Sequence, residues 1–137
     1  MEYNYERLSD DISIAVSDEH TFGTDAVLLS YFAKPKYKDK ALDMGTGCGI
    51  IPLLWLRDSR QTGIHCLDIQ QNAFEQVKDS IEHNSLGDRL TPHLCDLRNV
   101  KEEFSAECFT LRTSRLIQAL NRWAKVPELP VTRSAVT

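Results

Sequence analysis

Three glycines alternate with other residues in one short turn of the sequence, just after an aspartate. The stretch 41–56 reads ALDMGTGCGIIPLLWL and places Gly45, Gly47 and Gly49 behind an apolar run that contains Asp43. Glycine has no Cβ, so its backbone can adopt positive φ and approach a ligand closely. The helix that follows offers N–H groups without partners inside the helix. Glycines also form turns that bind nothing, but three in alternation after an acid favour a ligand site.

Two further acids follow later apolar runs and indicate that this ligand is a nucleoside. Asp68 comes 23 residues after Gly45, near the spacing of about 20 residues at which an acid binds ribose hydroxyls in nucleotide-binding folds. Its two carboxylate oxygens match two vicinal hydroxyl donors. Asp96 follows the third run, where we expect the adenine edge. Each acid alone is typical of a solvated strand end, but three at successive strand ends point to a nucleoside.

The pattern also discriminates between nucleoside ligands. Dinucleotides are usually bound by GxGxxG, with a pyrophosphate at the helix start. Here the pattern is GxGxG, and Asp43 lies two residues before the first glycine, where its charge would repel a pyrophosphate. A nicotinamide-dependent oxidoreductase is therefore disfavoured. An ammonium group beside the adenosine would suit this acid, and S-adenosylmethionine carries one.

Apolar runs and helical periodicity alternate around these residues. We predict strands over 11–16, 40–45, 62–69 and 89–97, and helices from 24 or 25 to about 34, over 48–60 and over 72–88. Thr24 or Asp25 is predicted to cap the first helix, and Gly87 to end the third. The order βαβαβ requires parallel strands, whose carboxyl ends hold the ligand. The fold class is therefore α/β with a Rossmann-like parallel sheet.

Composition predicts one soluble domain of 137 residues with no run long enough to cross a bilayer. Cys48, Cys66, Cys95 and Cys108 form no CxxC pair, so we expect neither a zinc site nor disulfides, and a cytoplasmic location. His20 and His65 are each isolated in sequence. We assign them no role, and no metal is predicted.

Charge divides the chain near residue 110. Residues 1–109 hold 11 basic and 19 acidic residues, a net charge of −8, whereas residues 110–137 hold five basic and one acidic, a net charge of +4. We therefore predict a nucleoside-binding domain over 1–109 and a divergent basic tail over 110–137.

The stretches FGTDAVLLSYFA, LDMGTGCGIIPLL and CLDIQQNAFEQVKDSIEHNSL together resemble class I S-adenosylmethionine-dependent methyltransferases. The likeness is to the small methyltransferase group, which includes N6-adenine methyltransferases of bacterial valine tRNA, and it spans 6–109. It implies a seven-stranded fold, S-adenosylmethionine as cofactor and tRNA as partner. By resemblance, Asp43, Gly45, Gly47 and Gly49 line the methionine moiety, Asp68 binds the ribose and Asp96 lies near the adenine amino group. Phe22, Gly23, Thr24 and Asp25 match the segment that folds over the cofactor.

The chain departs from this family after Phe109. Relatives carry Asn-Pro-Pro-Tyr at the end of the fourth strand, where it orients the target amine and stacks on the base, and this sequence contains no such motif. A shifted reading frame or another truncation after about residue 109 is one explanation, favoured because the tail differs in composition and its closing proline-rich stretch matches no further strand. The other is a natural tail with a helix capped by Ser114 and carrying Leu116, Leu120 and Trp123 on one face.

An incomplete sheet has a structural consequence. The strand before the glycine turn would lie near an edge, with one flank exposed unless the tail or a second copy covers it, and Ile50, Leu53 and Leu54 would then need a partner. We therefore predict marginal stability or self-association through an exposed sheet edge.

Three functions remain open at this stage. The first is methyl transfer to an exocyclic adenine nitrogen of tRNA, impaired by the missing motif. The second is S-adenosylmethionine binding without catalysis. Protein glutamine methylation is a rival within the enzymes, because relatives of that kind use the same motif.

Overall fold

The parallel sheet predicted from the sequence is present. The structure, a computed structural model, describes residues 2–99, 104, 109, 111–114 and 131–133. Its strands are β1 (Asn4–Arg7), β2 (Ser13–Val16), β3 (Ala41–Met44), β4 (Ile64–Asp68), β5 (Leu90–Leu94), β6 (Leu111–Ser114) and β7 (Val131–Arg133). Its α-helices are α1 (Thr24–Phe32), α2 (Ile50–Asp58) and α3 (Gln71–His83), and a short 3-10 helix covers Leu97–Asn99.

Five strands form the main sheet in the order β5-β4-β3-β6-β7, and β1 and β2 form a separate antiparallel hairpin. The strands β3, β4, β5 and β6 run parallel, whereas β7 runs antiparallel to β6. The α/β class and the Rossmann-like core are confirmed. Because the order places β3 in the middle, the glycine turn leaves the sheet at its centre.

Alternate residues of the strands face two different cores. On one face, Ala41, Ile64 and Cys66 pack in a large cluster with residues of all three helices and of β2. On the other face, Leu42 and Leu67 pack with Cys95 and Phe109. All the α-helices of the described chain therefore cover the face that carries Asp43. Because α2 follows β3 and α3 follows β4 directly, these two helices begin beside the carboxyl edge of the sheet.

The tail covers the flank of β3, which is one of the two ways of covering it that the sequence left open. Strand β6 pairs along β3 from Ala41↔Leu111 to Met44↔Ser114, so the beginning of the predicted tail fills the flank. Ile50 and Leu53 are 0% exposed and Leu54 is 3% exposed, so these three side chains need no second chain to cover them. Self-association stays a prediction, but uncovered side chains at Ile50, Leu53 and Leu54 no longer support it.

The segment after Phe109 contributes two strands to the sheet. The expectation of no strand in the closing proline-rich stretch is wrong, because Val131–Arg133 pairs with β6. The alternative helix with Leu116, Leu120 and Trp123 falls outside the described residues. The reading-frame hypothesis and the domain boundary at residue 109 stay predictions.

The third helix ends four residues before Gly87, so the predicted stop is wrong. Ser85 takes the left-handed conformation with φ +54°, its N–H donates to the Glu82 carbonyl at 3.2 Å, and the Leu86 N–H donates to the Ile81 carbonyl at 2.9 Å. These two bonds form a Schellman motif. The predicted cap of α1 is also wrong, because Gly23 holds the N-cap position and no side chain bonds there.

Strand β5 forms one end of the described sheet and contains Pro92 opposite Cys66. Proline has no N–H to donate, so it suits an edge strand and opposes pairing with another chain. Within the described residues, no helix is long and apolar enough to cross a membrane.

Candidate functional site

The glycine turn is a left-handed stretch of backbone tied to the neighbouring strand. Gly45, Gly47 and Gly49 have φ of +69°, +60° and +84°, which only glycine adopts without strain. The N–H groups of Gly45 and Thr46 both donate to the carbonyl of Leu67, at 2.9 and 3.0 Å. The turn therefore folds back over the end of β4 and keeps a fixed shape.

Asp68 is the last residue of β4, and its carboxylate binds the glycine turn directly. Its Oδ2 accepts the N–H of Gly47 at 3.0 Å, and its Oδ1 accepts the N–H of Gln70 at 3.0 Å. Each carboxylate oxygen has a second lone pair. Asp68 is half-buried, so a pair of hydroxyl donors can reach the remaining lone pairs.

Gly49 serves packing as well as the turn. It is the N-cap of α2, and a Cβ at this position would lie 3.2 Å from Cγ2 of Val77 on α3. A side chain here would push the two helices apart while also being strained by the positive φ. The third glycine therefore allows α2 to pack closely against α3. The spacing of the glycines in the sequence does not reveal this reason for a glycine at position 49.

Asp43 lies next to last in β3 and is 0% exposed. Its Oδ1 accepts a hydrogen bond of 2.7 Å from the hydroxyl of Thr113 on β6. Burial, and secondarily the negative charge of Asp43, raise the pKa of the Cys66 thiol. The acid thus lies inside the protein behind the turn, instead of on the surface that a ligand would touch.

Sequence analysis missed Thr113, which is also 0% exposed. It was assigned to the divergent tail, and its partner Asp43 is 70 residues earlier. Strand β6 is the fourth parallel strand in chain order, so Thr113 and Ser114 occupy the strand end where the resemblance places Asn-Pro-Pro-Tyr. No signal within the tail itself would have identified Thr113.

Asp96 lies two residues beyond β5 and is held by a neighbouring arginine. Arg98 donates its backbone N–H to Oδ1 at 2.8 Å and its Nη2 to Oδ2 at 2.6 Å. These side-chain and backbone hydrogen bonds hold the pKa of Asp96 below its usual range. The backbone joins this region to Asp68, because the N–H of Cys95 donates to the carbonyl of Asp68 at 3.0 Å.

The segment Phe22, Gly23, Thr24 and Asp25 begins α1. Phe22 is half-buried against the large core, whereas the other three residues are exposed. The turn after α1 lies at the opposite end of the sheet, because the Pro35 carbonyl accepts the Gln61 amide before β4 begins. Helix α1 therefore starts on the side of the carboxyl edge, although Phe22–Asp25 are positioned by α1 and not by the glycine turn.

His65 pairs with another histidine on the second face of the sheet. Its Nδ1 lies 2.9 Å from Nε2 of His93, and the two rings stack with centroids 5.1 Å apart. Phe104 and Phe109 meet the His65 ring edge to face. Burial, the neighbouring His93 and the charge of Lys40 lower the pKa of His65. His20 lies elsewhere, 3.1 Å from Oδ1 of Asn72.

The acids and histidines of the described ranges do not assemble a metal site: no group of three or more His, Cys, Asp or Glu is placed to hold an ion. The arrangement at the carboxyl edge instead offers bare backbone, one constrained carboxylate and a second carboxylate nearby.

Comparison with known proteins gives relatives of one kind. The tRNA1(Val) (adenine(37)-N6)-methyltransferase of Christiangramia forsetii is 42% identical over 69 residues, which are 50% of this chain and 29% of that protein. The enzyme of the same name from Vibrio campbellii is 31% identical over 84 residues, 61% of this chain and 35% of that protein. The chain thus spans about a third of the length of the relatives it matches.

Solved structures share the fold. The Pyrococcus abyssi tRNA (uracil-54, C5)-methyltransferase, in complex with S-adenosyl-L-homocysteine, matches with a TM-score of 0.58 and 22% identity over 89% of this chain and 32% of that one. A SAM-dependent methyltransferase from Thiobacillus denitrificans, also in complex with S-adenosyl-L-homocysteine, matches with a TM-score of 0.53 and 20% identity over 68% of this chain and 36% of that one. At these identities the likeness concerns the fold alone.

The family model for the methyltransferase small domain matches residues 15–107. This range includes the glycine turn and all three acids at the carboxyl edge. The chain belongs to the methyltransferase small domain family.

Proposed function

We propose that this chain binds S-adenosylmethionine in the cytoplasm, with tRNA as the methyl acceptor and an exocyclic adenine nitrogen as the target atom. The observation that carries the proposal is the 3.0 Å hydrogen bond from the Gly47 N–H to Oδ2 of Asp68. This bond joins the glycine turn to Asp68, the acid expected to bind the ribose, so that the two form one rigid unit. The family, and relatives named as tRNA adenine-N6 methyltransferases, support the acceptor.

The residues present fit the cofactor at its sugar. Asp68 is oriented by the N–H groups of Gly47 and Gln70, so its free lone pairs are fixed before a ligand arrives. Charge-assisted hydrogen bonds of this kind stabilise a complex by about 1.5–3 kcal/mol each. The carboxylate of Asp68 is the proposed acceptor for both ribose hydroxyls.

The other acids act in different ways. Because Asp43 is 0% exposed, it attracts the cofactor's ammonium through the turn and does not touch it. Asp96 accepts a hydrogen bond from the adenine amino group, and the ion pair with Arg98 fixes the position of its carboxylate. The bare backbone of Gly45 and Gly47 borders the methionine part, Gly49 supports the turn from behind, and Phe22–Asp25 cover the open side.

When bound, the cofactor would supply a methyl group on a sulfonium: the acceptor nitrogen would bond to the methyl carbon as the C–S bond breaks, S-adenosylhomocysteine would leave, and the nitrogen would lose a proton to solvent. Such a displacement depends on positioning and on exclusion of water. The chain provides the positioning for the cofactor. For the acceptor amine, β6 ends in Thr113 and Ser114 in place of Asn-Pro-Pro-Tyr, and the buried hydroxyl of Thr113 donates to Asp43.

That replacement favours a second candidate function, cofactor binding without methyl transfer. Calorimetry with S-adenosylhomocysteine and a radiolabelled-methyl assay on unmodified tRNA distinguish the two. Binding together with label in tRNA supports the methyltransferase, and binding without label supports the non-catalytic module. Absence of saturable binding would contradict both.

A further inference from the structure

Exposed aromatic and lysine side chains alternate at the end of α1 and in the turn after it. The lysine–aromatic segment consists of Tyr31, Phe32, Lys34, Lys36, Tyr37 and Lys38. Its three rings are 69%, 78% and 85% exposed, and its lysines are exposed as well. Isolated exposed rings are ordinary, but three exposed rings within seven residues are typical of an interaction surface.

The backbone beneath these side chains is anchored. Ala33 and Pro35 are buried between the exposed residues. Asp39 closes a turn, because its N–H donates to the Lys36 carbonyl at 2.9 Å and its Oδ2 accepts the Lys36 N–H at 2.6 Å. A ligand would therefore meet a preformed surface and would not have to order a loose loop.

Rings and charges lie together on this surface. The Lys34 Nζ is 5.7 Å from the Tyr31 ring centroid, and the Lys38 Nζ is 5.8 Å from that of Tyr37. The rings of Tyr31 and Phe32 meet edge to face with centroids 6.1 Å apart. A ligand that offers both flat rings and negative charge would satisfy both kinds of group at once.

The segment is basic within an acidic domain. Residues 34–40 contain four lysines and one acid, whereas residues 1–109 together carry 11 basic and 19 acidic residues. The outer surface of α3 shows the contrast, since Glu75, Asp79 and Glu82 line one broad groove there. A polyanion would be repelled by α3 and attracted to the lysine–aromatic segment.

We propose that the lysine–aromatic segment binds an unpaired stretch of RNA, with phosphates at Lys36 and Lys38 and bases stacked on Tyr31, Phe32 and Tyr37. Unpaired bases stack on exposed aromatic rings, whereas paired bases are already stacked on each other. The proposal rests on RNA being the substrate, as set out above. The segment lies at the end of the sheet opposite the glycine turn. It therefore binds a part of the RNA that is distant from the base to be methylated.

The test measures binding of the whole chain to fluorescently labelled unmodified tRNA, to a single-stranded RNA and to a paired RNA of equal length by anisotropy. We expect the single strand to bind more tightly than the duplex. Tyr37→Leu keeps an apolar side chain but removes the ring, and should weaken single-strand binding at least about fivefold. The double variant Lys36→Gln/Lys38→Gln should reduce the dependence of log K on log salt by about 1.4.

The matched control is Lys78→Gln. Lys78 is exposed and lies 5.5 Å from the Phe74 ring centroid, a similar pair on the acidic α3 surface, so its replacement should leave RNA affinity within twofold. Equal losses in Lys78→Gln and in the segment variants would overturn the proposal. So would wild-type chain that binds phosphatidylserine vesicles and not RNA.

Calorimetry with S-adenosylhomocysteine on the same samples separates this inference from the proposed function. Ligand binding with RNA affinity unaffected by the segment variants contradicts the inference alone. RNA affinity that falls in those variants, in a chain that binds no S-adenosylhomocysteine, supports the inference and contradicts the proposed function.

Discussion

The hydroxyl of Thr113 donates a 2.7 Å hydrogen bond to Oδ1 of Asp43, and both side chains are 0% exposed. This bond joins β6 to the strand that leads into the glycine turn. It lies alongside the parallel pairing of Asp43 with Thr113 in the sheet. The buried acid is therefore held by a residue from the segment that the sequence assigned to a divergent tail.

Replacing Thr113 with valine should destabilise the chain. The change keeps shape and β-propensity but removes a donor to a buried carboxylate, which costs about 1.5–3 kcal/mol in the free energy of unfolding. Urea denaturation measures the loss as a lower midpoint at constant slope. Thr91→Val on β5 is the control, because Thr91 is exposed and its change should stay within about 0.5 kcal/mol. Equal stability of the two variants would show that β6 does not hold Asp43 in solution.

The second prediction concerns the ribose. Asp68→Ala removes both carboxylate oxygens and with them the lone pairs available to the ribose hydroxyls. It should weaken S-adenosylhomocysteine binding about 10- to 100-fold in calorimetry, the equivalent of roughly 1.5–3 kcal/mol. Asp88→Ala, at an exposed acid in the loop before β5, should bind as the wild type does.

The same change also removes the hydrogen bonds to Gly47 and Gln70, so a ligand control is needed. An S-adenosylhomocysteine analogue without the two ribose hydroxyls should bind the wild type and Asp68→Ala with similar affinity. If Asp68→Ala weakens both ligands by the same factor, Asp68 shapes the turn and does not bind the sugar.

Much of the central fold could be predicted because its signals are local. The apolar run at β3, the glycines after it and the periodicity of α3 each fix an element from neighbouring residues alone. The ligand edge followed from parallel topology, and the contact of Gly47 with Asp68 agrees with it. Each of these predictions depends on residues within about 20 positions of one another.

The failures have a different origin. A strand-end position does not reveal whether a later strand will pair beside it, so the burial of Asp43 and its bond to Thr113 could not be predicted. The stop of α3 was misplaced because a serine holds the left-handed position that glycine usually takes. The packing reason for Gly49 depends on Val77 in another helix. These features are set by contacts between segments distant in sequence.

The third prediction follows from that serine. Ser85 has φ +54°, a conformation that costs a residue with a Cβ about 1 kcal/mol or more. Ser85→Gly should raise the free energy of unfolding by about 0.5–1 kcal/mol after the added flexibility of the unfolded chain is included. Ser85→Ala is the comparison, since it keeps the Cβ and should not stabilise. A glycine variant no more stable than the alanine variant would contradict the argument.

The last prediction concerns pH and the histidine pair. Burial, His93 and Lys40 lower the pKa of His65 in the folded chain, while the unfolded chain keeps a value of about 6.5. Below that pH the unfolded chain therefore binds a proton that folded His65 resists, so its contribution to stability is full above about pH 6.5 and is lost as the pH falls toward the folded pKa. Urea midpoints at pH 7.5 and 5.5 should fall more for the wild type than for His65→Gln. His83→Gln, at an exposed histidine stacked on Tyr5, should keep the wild-type difference between the two midpoints. Equal pH dependence in the wild type and His65→Gln would show that folded His65 does not resist protonation.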